Sequence, residues 1–167
     1  MMPDGLYESD ALAWADRQSA LLRRLARGER VNDAVDWPHV IEEVQDVGLS
    51  ELRACQSLLE QALAHLLKSY VLPESEAVPH WRDEIRAFLH DVQRRFTPST
   101  RQRLDLDALY DKAAERALAA AADLGVPPPR LPQHCPFTLD QLLATRPDLL
   151  AMLDTLRAAA PRAGGER

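Results

Sequence analysis

Aromatic residues are scarce in this chain of 167 residues, where they make up only 5% of the sequence. Packing must therefore come mainly from aliphatic side chains, and alanine and leucine are abundant. We find no internal repeat and no strand pattern, and a chain so rich in alanine is poorly suited to strands. The composition predicts an all-α protein.

Cysteine is almost absent as well. Cys55 and Cys135 are the two cysteines of the chain, and a single pair forms no disulfide framework. Cys55 lies among leucines in a predicted helix, where a reduced and buried thiol is the usual finding.

Long apolar runs are also missing. No segment approaches about 18 consecutive apolar residues, the length that a membrane-spanning helix needs. A signal peptide is not predicted, because Asp4, Glu8 and Asp10 stand where a basic region and an apolar run are required. We therefore predict a cytoplasmic protein that does not enter the membrane.

An excess of positive charge is the last absence. The chain has 20 Lys and Arg against 26 Asp and Glu, which gives a formal net charge of −6. Binding of phosphate backbones needs a basic patch, so we expect no nucleic-acid partner. A protein partner or self-association is compatible with this charge.

Capping residues, glycines and prolines divide the chain into helices. The length predicts one helical domain over residues 1–160, followed by a disordered tail over 161–167. We expect an antiparallel bundle of four main helices, with a proline-rich segment and short C-terminal helices across one end. The predicted helices are 10–27, 36–70, 80–96, 98–123 (one helix, or two pieces that break near Asp105), a short helix after Thr138, and 148–159.

The helix over 36–70 organises the prediction. Its apolar residues form a single stripe, and the helix would be about 50 Å long, which is more than one small core needs. We therefore expect a bend or a close helix crossing at Gly48. The stripe consists of Trp37, Val40, Ile41, Val44, Gly48, Leu52, Cys55, Leu58, Leu59, Ala62, Leu66 and Tyr70.

Two polar side chains fall on predicted apolar faces. Gln18 lies in the middle of the face of the first helix, and Glu51 lies within the long stripe. Burial of a lone carboxylate costs several kcal/mol, so a buried Glu51 needs a partner or a raised pKa. His65 lies at the edge of the stripe. We predict that Gln18, Glu51 and His65 form a buried polar network. The alternatives are a pocket at Glu51, or a slip in helical phase at Gly48 that exposes Glu51.

A second polar group stands in the first turns of the long helix. His39, Glu42, Glu43 and Asp46 are residue types that bind metals. Metal sites of helical bundles need Glu-x-x-His motifs from two helices, however, and the chain has no second copy. Acidic residues that favour a helix N-terminus explain the group more simply, so we predict no metal and no cofactor.

Several of these residues also carry a resemblance. In order and spacing, the chain resembles the bacterial family called Domain of Unknown Function twenty-nine, over about residues 6–143. The resemblance implies an all-helical fold, and it implies no activity, cofactor or catalytic residue. It rests on Tyr7, Asp10, Trp14, Gln18, Val40-Ile-Glu-Glu-Val44, Asp46, Gly48, Ser50, Glu51, His65-Leu-Leu-Lys68, Trp81, Ile85, Pro98-Ser99, Tyr110 and Cys135-Pro-Phe-Thr-Leu139.

For function, we favour a non-enzymatic interaction or regulatory protein that forms a homo-oligomer, because no catalytic motif stands out. The alternative is a metal-dependent or acid–base enzyme whose candidate residues are Glu43, Asp46, Glu51 and His65. A third hypothesis is a binder of small ligands, with a pocket between helices.

Overall fold

The computed structural model describes residues 5–161 of the chain. That range contains eight α-helices, one short 3₁₀ helix and no strand, which confirms the predicted all-α class. The helices are α1 (Leu6–Ser9), α2 (Ala11–Ala26), the 3₁₀ helix (Asn32–Ala34), α3 (Trp37–Val71), α4 (Val78–Arg95), α5 (Pro98–Arg103), α6 (Leu106–Asp123), α7 (Leu139–Leu142) and α8 (Leu149–Ala159).

The chain divides into two compact units, residues 1–50 and residues 51–167. The first unit contains α1, α2, the 3₁₀ helix and the beginning of α3, and the second contains the rest of α3 and helices α4 to α8. The single domain and the antiparallel bundle stay predictions. The predicted disordered tail lies outside the described residues except for Pro161, which is exposed.

Most helices begin where the sequence signals place them. Five starts have a side chain that accepts a hydrogen bond from a backbone N–H of the first turn, an interaction worth about 1 kcal/mol. The break near the start of α6 is confirmed, because α5 ends at Arg103 and α6 begins at Leu106. The capping residues are Asp10, Thr97, Asp105, Thr138 and Asp148.

The core of the second unit is built by α3, α4, α6, α7 and α8. Leucines of α3 face Ile85 and Leu89 of α4 in this core, and α6 presents three alanines one turn apart. Small side chains at that spacing leave room for a neighbouring helix to pack closely. The buried alanines are Ala113, Ala117 and Ala121.

The proline-rich segment packs against α6 within the second unit. The hydroxyl of Tyr110 donates a hydrogen bond of 3.1 Å to the carbonyl oxygen of Pro132. The backbone N–H of Cys135 donates one of 2.8 Å to Asp107. Burial raises the pKa of Tyr110 and raises that of the Cys135 thiol to about 11, so both stay protonated at neutral pH.

The stripe of α3 is buried along only part of its length. In the second unit its residues Cys55, Leu59 and Ala62 are buried. In the first unit the exposed fractions are 38% for Trp37, 54% for Ile41, and 70% for both Val44 and Val47. The prediction of one continuous core face is therefore wrong for the beginning of α3. The physical reason is that α1 and α2 contact the opposite side of this helix, at His39 and Glu43.

Gly48 does not mark a close helix crossing. Helix α3 continues through it, and no atom of a neighbouring element lies within 4 Å of the position that a Cβ would take. That part of the Gly48 prediction is wrong. Gly28 and Gly125, by contrast, end α2 and α6 with φ of 84° and 66°, in the left-handed region that favours glycine.

We predict opposite effects for two glycine substitutions. Gly48→Ala should raise the free energy of unfolding by about 0.5 to 1 kcal/mol, because alanine has the higher helix propensity and meets no neighbour. Gly125→Ala should lower it by about 1 kcal/mol, because a Cβ strains the left-handed conformation. Urea unfolding followed by circular dichroism measures both. A destabilising Gly48→Ala would show that another helix does approach this position.

Candidate functional site

A cleft of about 700 Å³ opens within the first unit. It lies among α1, α2, the 3₁₀ helix and the first turn of α3, so four elements contribute to its walls. Both apolar and ionisable side chains line it, which is typical of sites that bind small molecules. The residues that matter below are Tyr7, Trp14, Gln18, Asp36 and His39.

Asp36 and His39 form a hydrogen-bonded pair at this cleft. His39 Nδ1 lies 2.7 Å from Asp36 Oδ2, and the indole N–H of Trp14 donates to the same oxygen at 3.0 Å. Behind them, the backbone N–H of Asp36 donates to Oε1 of Gln18 at 3.0 Å. The carboxylate thus connects α2 to the beginning of α3.

The charge on Asp36 decides which nitrogen of His39 carries the hydrogen. Burial acts to raise the pKa of Asp36, but hydrogen bonds from His39 and Trp14 outweigh it, and the pKa is lowered. An ionised carboxylate only accepts hydrogen bonds, so His39 donates through Nδ1. In the neutral ring, Nε2 is then the nitrogen with the free lone pair.

Aromatic contacts hold the His39 ring in place. The ring of Tyr7 stacks on it with 3.9 Å between centroids, and Trp14 meets Tyr7 edge-on at 4.9 Å. The hydroxyl of Tyr7 donates to Glu43 Oε1 at 2.7 Å, and this hydrogen bond raises the pKa of Tyr7 to about 12. The orientation of the imidazole is therefore set by a stack on one face and a carboxylate at Nδ1.

Gln18 is buried as predicted, with 5% of its surface exposed. Its partner is the backbone of Asp36, whereas the sequence suggested Glu51. The sites predicted from the sequence did not include the Asp36-x-x-His39 pair. The i, i+3 spacing at the start of a helix was the available signal, since it places the two side chains side by side.

Glu51 is exposed, with 61% of its side chain accessible, so its predicted burial is wrong. Glu51 is exposed, as in the alternative that placed it at the surface, but α3 continues through Gly48 without interruption. Glu51 Oε2 lies 3.4 Å from Arg95 Nη1 of α4, within the second unit. An exposed ion pair of this kind contributes about 0 to 1 kcal/mol. Glu51 is therefore not a member of a buried polar network.

His65 lies at the edge of the core, as predicted, with 14% of its side chain exposed. Its Nδ1 is 3.0 Å from Glu84 Oε2, but the orientation is not that of a hydrogen bond. His80 Nε2 lies 3.4 Å from the same oxygen. Burial lowers the pKa of His65, and the nearby Glu84 opposes this only in part. Burial therefore favours the neutral form of the imidazole.

Of the four candidate catalytic residues, Glu43 and Asp46 belong to the first unit, and Glu51 and His65 belong to the second. Glu43 accepts the hydrogen bond from Tyr7, and Asp46 is exposed. Glu51 and His65 stand fourteen residues apart on the unbroken helix α3, which separates them by about 21 Å. Within residues 5–161, no three His, Cys, Asp or Glu side chains are grouped so as to hold a metal ion.

No helix in the described range has the length and apolar character needed to cross a membrane. The molecule is an all-α protein. Its first unit contains a cleft lined by apolar and ionisable side chains, and the apolar side of α3 is exposed in that unit. Its family follows from comparison with known proteins. The chain belongs to the family described as Domain of unknown function DUF29, whose sequence model matches residues 6–146.

A solved structure supports the fold. The chain is similar to an alpha-helical protein of unknown function from Rhodospirillum rubrum, with 30% sequence identity and a TM-score of 0.69. The similarity covers 90% of this chain and 96% of that protein. Comparison with curated proteins gives no match.

We predict that Asp36→Asn destabilises the first unit. The loss of a carboxylate that accepts two side-chain hydrogen bonds should lower the free energy of unfolding by about 1 to 3 kcal/mol at pH 7. The lowered pKa of Asp36 means that its stabilisation is present above the ordinary carboxyl pKa of about 4 and is lost as the pH falls. The difference from wild type should therefore shrink in acid. Asp16→Asn, at an exposed position of α2, is the control in urea unfolding.

We also predict a pH effect from His65. Because its pKa is lowered in the fold, the unfolded chain takes up a proton first as the pH falls below about 6.5. The stabilisation is therefore present above that pH and is lost below it. His65→Gln should reduce the fall of the melting temperature between pH 7 and pH 5. His90→Gln, at an exposed position of α4, should not. If the melting temperature of His65→Gln falls with pH as steeply as that of wild type, the lowered pKa of His65 is contradicted.

Proposed function

We propose that this protein is a non-enzymatic helical interaction protein that self-associates through the beginning of α3. The observation that carries the proposal is the exposed apolar surface formed by Trp37, Ile41, Val44 and Val47, here called the bare stripe. Contiguous apolar patches on soluble proteins commonly mark interaction sites.

The spacing of the bare stripe is that of a helix pairing surface. Trp37, Ile41, Val44 and Gly48 follow one another at intervals of four, three and four residues, which is the a and d pattern of a heptad. Gly48 has no neighbour within 4 Å of the position that a Cβ would take, so this end of the bare stripe is uncovered in the single chain. A helix added there would bury the apolar side of α3 in the first unit, as neighbouring helices already do in the second unit.

The charges around the bare stripe favour a second copy of the same chain. Between Trp37 and Gly48, the positions that flank a heptad seam are Pro38, Val40, Gln45 and Val47, and none of them is charged. Glu43 and Asp46 lie on the opposite side of the helix, towards His39 and Tyr7. Two copies can therefore pair through this face without bringing like charges together, as a two-fold interface requires.

The enzyme hypothesis has less support. The exposed position of Glu51, about 21 Å along α3 from His65, speaks against an enzyme that uses both side chains. The two cysteines are free, which fits the cytoplasmic location that we propose.

Val44→Glu tests the proposal. Val44 is exposed in the single chain, so the substitution should leave the fold intact while it places a charge in the seam. We expect wild type to be a dimer by sedimentation equilibrium and Val44→Glu to weaken dimerisation at least tenfold, because a buried carboxylate without a partner is strongly unfavourable.

Leu150→Glu is the matched control, since Leu150 is a similarly exposed apolar residue on α8. It should leave the dimer unchanged. A wild-type chain that stays monomeric at about 100 μM, well above typical dissociation constants of specific dimers, would refute self-association. A dimer that tolerates Val44→Glu would refute the bare stripe as its interface.

A further inference from the structure

We propose that the cleft of the first unit binds a small organic cation, an amine or amidinium carried on an apolar body, and that Nε2 of His39 accepts a hydrogen bond from its N–H group. This inference concerns the side of α3 opposite the bare stripe, and it does not depend on self-association.

His39 is prepared for such a role by its surroundings. Its Nδ1 is committed to Asp36, and Tyr7 stacks on its ring. Within the part of the chain that the structure describes, Nε2 has no hydrogen-bond partner, although the side chain lines the cleft and is only 26% exposed. A half-buried imidazole with a fixed tautomer and a free lone pair is suited to accept a hydrogen bond from a ligand.

The charged side chains of the cleft determine which sign of charge the ligand carries. The acidic side chains of Glu8, Asp33 and Asp36 line it, against the single basic residue Arg17. Three carboxylates against one guanidinium attract a cation and repel a carboxylate or phosphate.

The apolar side chains of the cleft favour a ligand with an apolar part. Leu6, Trp14, Val35 and Pro38 line the cleft, and Trp14 and Val35 are buried. At about 700 Å³ the cleft lies in the range of small-molecule sites. An aromatic ring attached to the cationic group would cover these side chains, while the N–H group faces His39 and the acidic residues.

Three probes of one shape test the charge selection. Benzylamine, benzyl alcohol and benzoate share a ring and differ in charge. The indole N–H of Trp14, which donates to Asp36 beside the cleft, gives an NMR signal that reports binding. At pH 8, where a free imidazole is neutral, we expect benzylamine to shift this signal with a dissociation constant of about 1 mM or below. Benzyl alcohol should bind at least threefold more weakly, and benzoate not detectably.

His39→Phe tests the hydrogen bond, because phenylalanine keeps a ring against Tyr7 and lacks Nε2. Benzylamine affinity should fall at least tenfold, while His90→Phe, at an exposed position of α4, should leave it unchanged. If His39→Phe does not fold, Glu8→Gln with Asp33→Asn, both exposed, should weaken benzylamine at least threefold and leave benzyl alcohol unchanged.

Three results would overturn the proposal. The first is no shift of the Trp14 signal with benzylamine up to about 10 mM, beyond the range of weak fragment binding. The second is benzoate binding as tightly as benzylamine. The third is benzylamine affinity that survives in folded His39→Phe, or, where that variant does not fold, in the Glu8→Gln and Asp33→Asn double variant. Repeating the titration in Val44→Glu separates this site from self-association, since binding should persist there.

Discussion

The apolar stripe of α3 is the feature on which the rest of the structure depends. Apolar side chains gain roughly 25 cal/mol for each Å² removed from water, so a helix this long needs cover along its whole length. In the second unit that cover comes from α4, α6, α7 and α8, and the result is an aliphatic core with few aromatic residues. In the first unit, α1 and α2 contact its polar side and leave its apolar side exposed.

That contact is made by polar groups that pair with one another. The carboxylate of Asp36 accepts hydrogen bonds from Trp14 and His39, and Gln18 accepts one from the Asp36 backbone. Partly buried polar groups are costly unless they are paired, so each member of this set needs the others. The same pairing that attaches α2 to α3 also fixes the imidazole of His39 beside the cleft.

Local signals in the sequence predicted the helices well, and burial was harder to predict. Asp105, Thr138 and Asp148 cap helices as expected, because a cap depends only on residues within one turn. Whether Glu51 is buried depends on what packs against α3, and helical periodicity carries no information about a missing neighbour. Periodicity correctly placed Gln18 inside, but it could not identify Asp36 as the partner, because the contact joins residues 18 positions apart.

The cleft and the bare stripe occupy opposite sides of the same turns of one helix. Asp36 and His39 face α2, while Ile41 and Val44 face solvent, only a few residues further along. Each residue turns an α-helix by about 100°, so one residue inserted between His39 and Ile41 would rotate the stripe by that angle relative to the cleft. Insertions and deletions in this segment are therefore far more disruptive than most substitutions, since they displace an entire face at once.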